Sequence, residues 1–118
     1  MRGVPEGRGG VKRRKIMENL TQENFKDKTT EGVCVVAFSA TWCGPCRMLA
    51  PILEQAEAEL AGKANFYKAD IDQLNAITKS FGIMSVPTMI VFSGGKEVDK
   101  LVGLRTKNQI VEAVTKVL

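Results

Sequence analysis

Cys43 and Cys46 stand three positions apart in T-W-C-G-P-C, residues 41–46, and are two of only three cysteines in 118 residues. Three chemistries use such a pair: half of a zinc site, a permanent disulfide, or a disulfide made and broken as the reaction itself. A structural zinc takes four protein ligands. The chain has no histidine, and the remaining cysteine, Cys34, lies back in an apolar run. Cys34 to Ser39 alone spans about 17 Å at strand rise. A permanent bridge three residues wide closes almost no loop and so stabilises little. The redox-active pair is the reading that uses both sulfurs, and Cys34 reads as a small core residue.

Such a pair must be positioned, and the flanking pattern says how. V-C-V-V-A-F, 33–38, is an unbroken apolar run, as in a strand covered on both faces. From Cys43 to about Leu60 the apolar positions Cys46, Leu49, Ala50, Leu53, Ala56 and Leu60 recur at three and four, which predicts a helix. Pro51 inside it should kink that helix. Cys43 then falls at the helix N-terminus, where unpaired N–H groups and the positive dipole end stabilise a thiolate, the reactive form of cysteine. Cys46 lies on the same face within one turn. Pro45 suits the first helical turn, and Gly44 leaves room for a second molecule's sulfur to reach Cys43.

The rest of the chain alternates in the same way. A weak strand signal covers Lys15–Leu20, and a short helix is expected over Thr21–Lys28. Strands are expected over 64–71, 88–92 and 97–102, with a helix over Asp72–Ser80. Ser93-Gly94-Gly95-Lys96 reads as a tight hairpin turn, so the last strand returns antiparallel. Thr106 and Gln109 form a capping box for a final helix with Ile110, Val114, Val117 and Leu118 as its apolar stripe. The fold class is α/β, a central mixed sheet with helices on both faces.

Composition bounds the setting. A length of 118 residues, 44 % of them hydrophobic, suits one globular domain with its own core. No run of apolar residues is long enough to span a membrane. Residues 1–16 hold Arg2, Arg8, Lys12, Arg13, Arg14 and Lys15 against Glu6 alone, a surplus of five; set against the net charge of +4, the remainder carries −1. The basic character thus belongs to a Gly-rich extension, 1–16, expected to be disordered, and not to the domain, 17–118. No apolar segment follows that basic stretch as a secretory signal requires. A nucleic-acid arm built on Lys12–Lys15 is the sharper but less favoured alternative, and Met17 is an alternative start. Three cysteines are too few for a disulfide-stapled secreted scaffold, which favours a reducing cytoplasm.

The chain resembles the thioredoxin family. The resemblance rests on W-C-G-P-C at 42–46, V-P-T at 86–88, Pro51 and Gly103, in matching order over 17–118. It implies the thioredoxin fold, with Val86-Pro87 as a cis peptide facing the disulfide. It implies a disulfide reductase and electron-transfer protein in which Cys43 attacks a target disulfide and Cys46 resolves the mixed disulfide. Targets would dock on Trp42, Gly44, Pro45, Ser85, Val86, Pro87 and Gly103, with the Val86 backbone pairing an extended segment. No cofactor is bound; electrons come from NADPH through a separate flavoprotein, thioredoxin reductase. Oxidised proteins are the substrates and a monomer the working form, with neither membrane nor nucleic acid as a partner. A thiol oxidase or isomerase of the same fold, or a non-catalytic binding module, are the alternatives; the oxidising relatives usually carry histidine between the cysteines, and this chain has none.

Two positions depart from the family pattern. The usual buried aspartate beneath the cysteines is Ala37, and the usual tryptophan two residues later is Ser39. Lys68, the aspartate's usual neighbour and a supporting site residue, is kept. Without an acid at 37, a buried Cys46 thiol should shed its proton reluctantly, so its attack should be slow near neutral pH.

If 1–16 is dispensable, a chain beginning at Met17 will keep its melting temperature and its disulfide-reductase rate. A large loss of either, read by thermal denaturation and insulin reduction, would place Lys15 and Ile16 in the first strand instead.

Overall fold

The computed structural model describes residues 17–118; the expected disorder of 1–16, and the first residues of the expected opening strand, lie outside the described residues. In chain order the elements are β1 (Glu18–Asn19), α1 (Phe25–Thr30), β2 (Val33–Ser39), α2 (Gly44–Glu59), β3 (Asn65–Asp70), α3 (Asn75–Ser80), β4 (Thr88–Ser93), β5 (Lys96–Val102) and α4 (Lys107–Thr115). The strands form one mixed sheet in the order β1-β3-β2-β4-β5. β1 and β2 both pair with β3 in parallel, and β4 runs antiparallel to both β2 and β5.

The continuous apolar run of β2 is explained by what covers it. Alternate strand side chains point to opposite faces. Val35 and Ala37 pack with Leu49, Leu53 and Ala56 of α2 and Ile110 and Val114 of α4. Cys34, Val36 and Phe38 face the other way, with Phe25 of α1 and Phe92 of β4. There Phe25, Phe38, Phe81 and Phe92 form a ring cluster with centroids 5.4–6.3 Å apart. Fully burying one such side chain contributes about 1.5–3 kcal/mol, so both cores are needed to hold β2.

Most expected boundaries agree with the structure, and the exceptions have local causes. α1 starts at Phe25 because Thr21 and Asn24 exchange side-chain-to-backbone bonds of 2.8 and 3.1 Å, which satisfy a turn before the helix. α3 starts at Asn75, not Asp72. The Asp70 carboxylate accepts the Asp72 N–H at 2.9 Å, and the Asp70 carbonyl accepts those of Gln73 and Leu74, so 71–74 is a turn. α4 has the expected capping box but ends at Thr115. Leu118 is therefore exposed, and Ala113 takes its place in the stripe. α2 continues through Pro51 as one helix. Gly94 and Gly95 both have positive φ, +59° and +88°, the left-handed geometry that a two-residue hairpin turn requires.

Cys34 is fully buried, and that burial pushes its thiol up to about 12 from 9.0. A raised folded value means the neutral thiol is favoured in the fold, so its contribution to stability is intact below about pH 9 and is lost as pH rises from there toward 12. Tyr67 is pushed up by burial too, partly offset by Lys28, and acts in the same direction. We expect Cys34→Ala to flatten part of the alkaline loss of stability in urea titrations. At pH 8 the folded, reduced protein should take iodoacetamide on Cys43 and Cys46 and not on Cys34; alkylation of Cys34 under those conditions would contradict its burial.

Candidate redox site

β2 ends at Ser39, and the chain turns tightly, with the Cys43 N–H on the Ala40 carbonyl at 3.2 Å, before α2 begins at Gly44. Cys43 is the N-cap of α2, and Cys43 and Cys46 are joined as a disulfide. The Cys43 sulfur also accepts the Cys46 N–H at 3.2 Å. This is the geometry that favours negative charge on Cys43: an orphan helix N–H directed at the sulfur, at the positive end of the dipole. Pro45 occupies the first turn. A side chain added at Gly44 would meet nothing of this protein within 4 Å, so the space at Gly44, next to Cys43, is open to another molecule.

The other expected residues gather around the pair in two groups. Trp42 is 65 % exposed and its Nε1–H donates to Asp72 at 3.1 Å, which fixes the ring beside the cysteines. Val86-Pro87 is a cis peptide bond. Pro87 leads into β4, whose Thr88 pairs with Phe38 of β2, so the register places the proline at the same end of the sheet as the cysteines. Gly103, at φ +88°, donates its N–H to the Pro87 carbonyl at 2.8 Å; it is held there by backbone geometry that other residues rarely adopt. Ser85 is exposed, and its carbonyl accepts the Thr88 hydroxyl at 2.8 Å.

Lys68 belongs to the second group. It is the register partner of Ala37, and both residues line a groove of about 510 Å³ together with Ser39, Cys46, Asp70 and Pro87. Ala37 and Ser39 alternate with Phe38 and so face α2, and their small side chains leave the groove open. This corrects one expectation. Cys46 is not a fully buried residue but a partly buried one at the wall of this groove, whereas Cys43 is 5 % exposed. The groove gives Cys46 an opening toward solvent that does not depend on an acid at 37. The sequence reading also missed Asp72, which anchors Trp42, and the exposed Met48 and Met84. No periodic signal marks an apolar side chain left outside the core.

Ala37→Asp would place a carboxylate at a position 3 % exposed, with Lys68 as its register partner. It should lower the melting temperature, since a buried charge is costly even when paired, and removing Lys68 as well should lower it further. The neutral-pH rate of Cys46 attack should change little. Stopped-flow Trp42 fluorescence would read that rate, and a large acceleration would show that the groove does not relieve Cys46 of its proton.

The comparisons with known proteins agree with this geometry. A family model described as Thioredoxin matches residues 16–116. The thioredoxin of Staphylococcus saprophyticus subsp. saprophyticus is 46 % identical over 97 residues, 82 % of this chain and 93 % of its own length. That of Staphylococcus aureus is 43 % identical over the same lengths. A mutant thioredoxin from Halobacterium salinarum has a TM-score of 0.75 at 31 % identity, over 85 % of this chain and 90 % of that one. A chain solved in work on thiol resolution in yeast mitochondrial 1-Cys peroxiredoxin reaches a TM-score of 0.77 at 24 % identity, over 85 % and 94 %, and speaks for the fold alone. With its mixed sheet, its paired cysteines at a helix start and its matched residues 16–116, the chain belongs to the thioredoxin family of thiol-disulfide oxidoreductases.

Proposed function

We propose that this protein reduces the disulfides of other proteins, with Cys43 as the attacking thiolate and Cys46 as the resolving one. The observation that carries the assignment is the Cys46 N–H directed at the Cys43 sulfur at the N-cap of α2. In the reduced form the Cys43 thiolate attacks one sulfur of the target disulfide; that bond breaks and the far sulfur leaves as a thiolate. The Cys46 thiolate then attacks the Cys43 sulfur, the mixed disulfide breaks, and the target departs as a dithiol. Two electrons pass to the target, and the Cys43–Cys46 disulfide remains.

Targets dock on the exposed rim of Trp42, Gly44 and Pro45, with Ser85, Val86, Pro87 and Gly103 opposite. The bond from Gly103 to Pro87 supports treating these two loops as one surface. Lys68 supports the site from the groove behind Cys46. Members of this family work with a reductase and with oxidised proteins, and the electron source here is NADPH through a separate flavoprotein, thioredoxin reductase, with no cofactor bound to this chain. The working form is a monomer of the 17–118 domain in the cytoplasm, acting on neither membrane nor nucleic acid. Among the described residues, no helix is long and apolar enough to cross a membrane, and no group of three His, Cys, Asp or Glu is placed to hold a metal ion.

Insulin reduction coupled to dithiothreitol tests the activity, and coupling to NADPH and a thioredoxin reductase tests the partner. Cys43→Ser is expected to abolish turnover. Cys46→Ser should accumulate a mixed disulfide, and mass spectrometry should find it on Cys43. An adduct on Cys34 would sink the assignment of roles.

A further inference from the structure

The groove behind the disulfide reaches Cys46 from the α2 side of the sheet and meets the docking rim only at Pro87. Its volume, about 510 Å³, falls within the range of about 300–1,000 Å³ usual for small-molecule sites. Its walls carry charge of both signs: Lys68 and Arg47 against Asp70 and Glu54. The Lys68 ammonium has no ion-pair partner among the described residues. Arg47 donates to the Thr41 carbonyl at 3.1 Å, and Asp70 uses one oxygen for the Asp72 N–H. Each cation and Asp70 thus retains capacity for an outside group of opposite charge. A thiol entering here meets Cys46 and not Cys43, because Cys46 alone of the two lines the groove.

Attack at Cys46 is also the chemically favoured direction. The sulfur expelled would be Cys43, which already accepts the Cys46 N–H at the helix start, and thiol-disulfide exchange runs faster when the leaving sulfur is the better-stabilised thiolate. We propose that the groove is a subsite for zwitterionic low-molecular-weight thiols, amino-acid or short-peptide thiols bearing both a carboxylate and an ammonium, which reduce the disulfide by attacking Cys46. The thiol's carboxylate lies toward Lys68 and its ammonium toward Asp70. The thiolate attacks the Cys46 sulfur, the Cys43–Cys46 bond breaks, and Cys43 leaves as a thiolate. A second thiolate attacks the small molecule's sulfur, Cys46 leaves, and the small disulfide is released. Two thiols lose two electrons, and the protein gains them. The inference rests on the Cys43–Cys46 pair being the redox centre, and it adds a second route into that centre.

The test reduces the oxidised protein with four thiols: L-cysteine, 3-mercaptopropionate, cysteamine and 2-mercaptoethanol, followed by Trp42 fluorescence. Dividing each wild-type rate by the variant rate cancels the intrinsic reactivity of the thiol. Lys68→Gln should slow cysteine and 3-mercaptopropionate about fivefold more than it slows cysteamine and 2-mercaptoethanol, the size of one partly screened ion pair. Asp70→Asn, which keeps an oxygen for the Asp72 N–H, should slow cysteine and cysteamine similarly. Ser39→Phe, which fills the groove and adds no second tryptophan, should slow all four. Equal ratios for all four thiols in both charge variants, or no slowing in a folded Ser39→Phe protein, would overturn the proposal. Dithiothreitol serves as the control: failure of dithiothreitol to reduce the pair would overturn the redox reading itself and this inference with it.

Discussion

The redox site depends on β2 being held from every side. β3 and β4 take its two edges and the two cores take its faces. A strand so confined cannot shift register without turning Cys34, Val36 and Phe38 out of one core and Val35 and Ala37 out of the other. Its end at Ser39 is therefore set by these contacts, and the short turn to Gly44 sets the first turn of α2 from it. Pro87 inherits its position from the same strand through the pairing of Phe38 with Thr88. The cysteines and the proline are far apart in sequence, but both are set by β2. The ion pair between Lys107 and Glu59, 2.8 Å, ties α4 to the far end of α2 and leaves its first turn free to face a partner.

Much of this was legible because the signals are local. The apolar run of β2, the helical spacing from Cys43 onward, the Gly94-Gly95 turn and the Thr106–Gln109 box each depend on few neighbours. The misses depend on contacts that periodicity does not encode. Asp70 and the Thr21–Asn24 pair delay two helices by offering the backbone a side-chain partner before the helix can start. At the site, Cys43 at the helix start followed from spacing alone. The partial exposure of Cys46 did not, because Cys46 lines a groove with Ala37 and Ser39, two small residues that the sheet brings opposite α2, and with Ala40 just beyond the strand. Absence of volume leaves no pattern in a sequence. The anchoring of Trp42 by Asp72 was hidden for a related reason: the two are thirty residues apart.

The sheet has two outer strands, and each discourages a neighbour in its own way. β1 is two residues long, too short a ladder for another chain to extend. β5 is longer, but Lys96, Glu97, Asp99 and Lys100 give it charge of both signs along its length, and its pairing with β4 is interrupted by an irregularity at Val91 and Phe92. Charged and bulged edges resist edge-to-edge aggregation. With β1 short and β5 charged and bulged, the described sheet offers other chains no long, flat margin to extend.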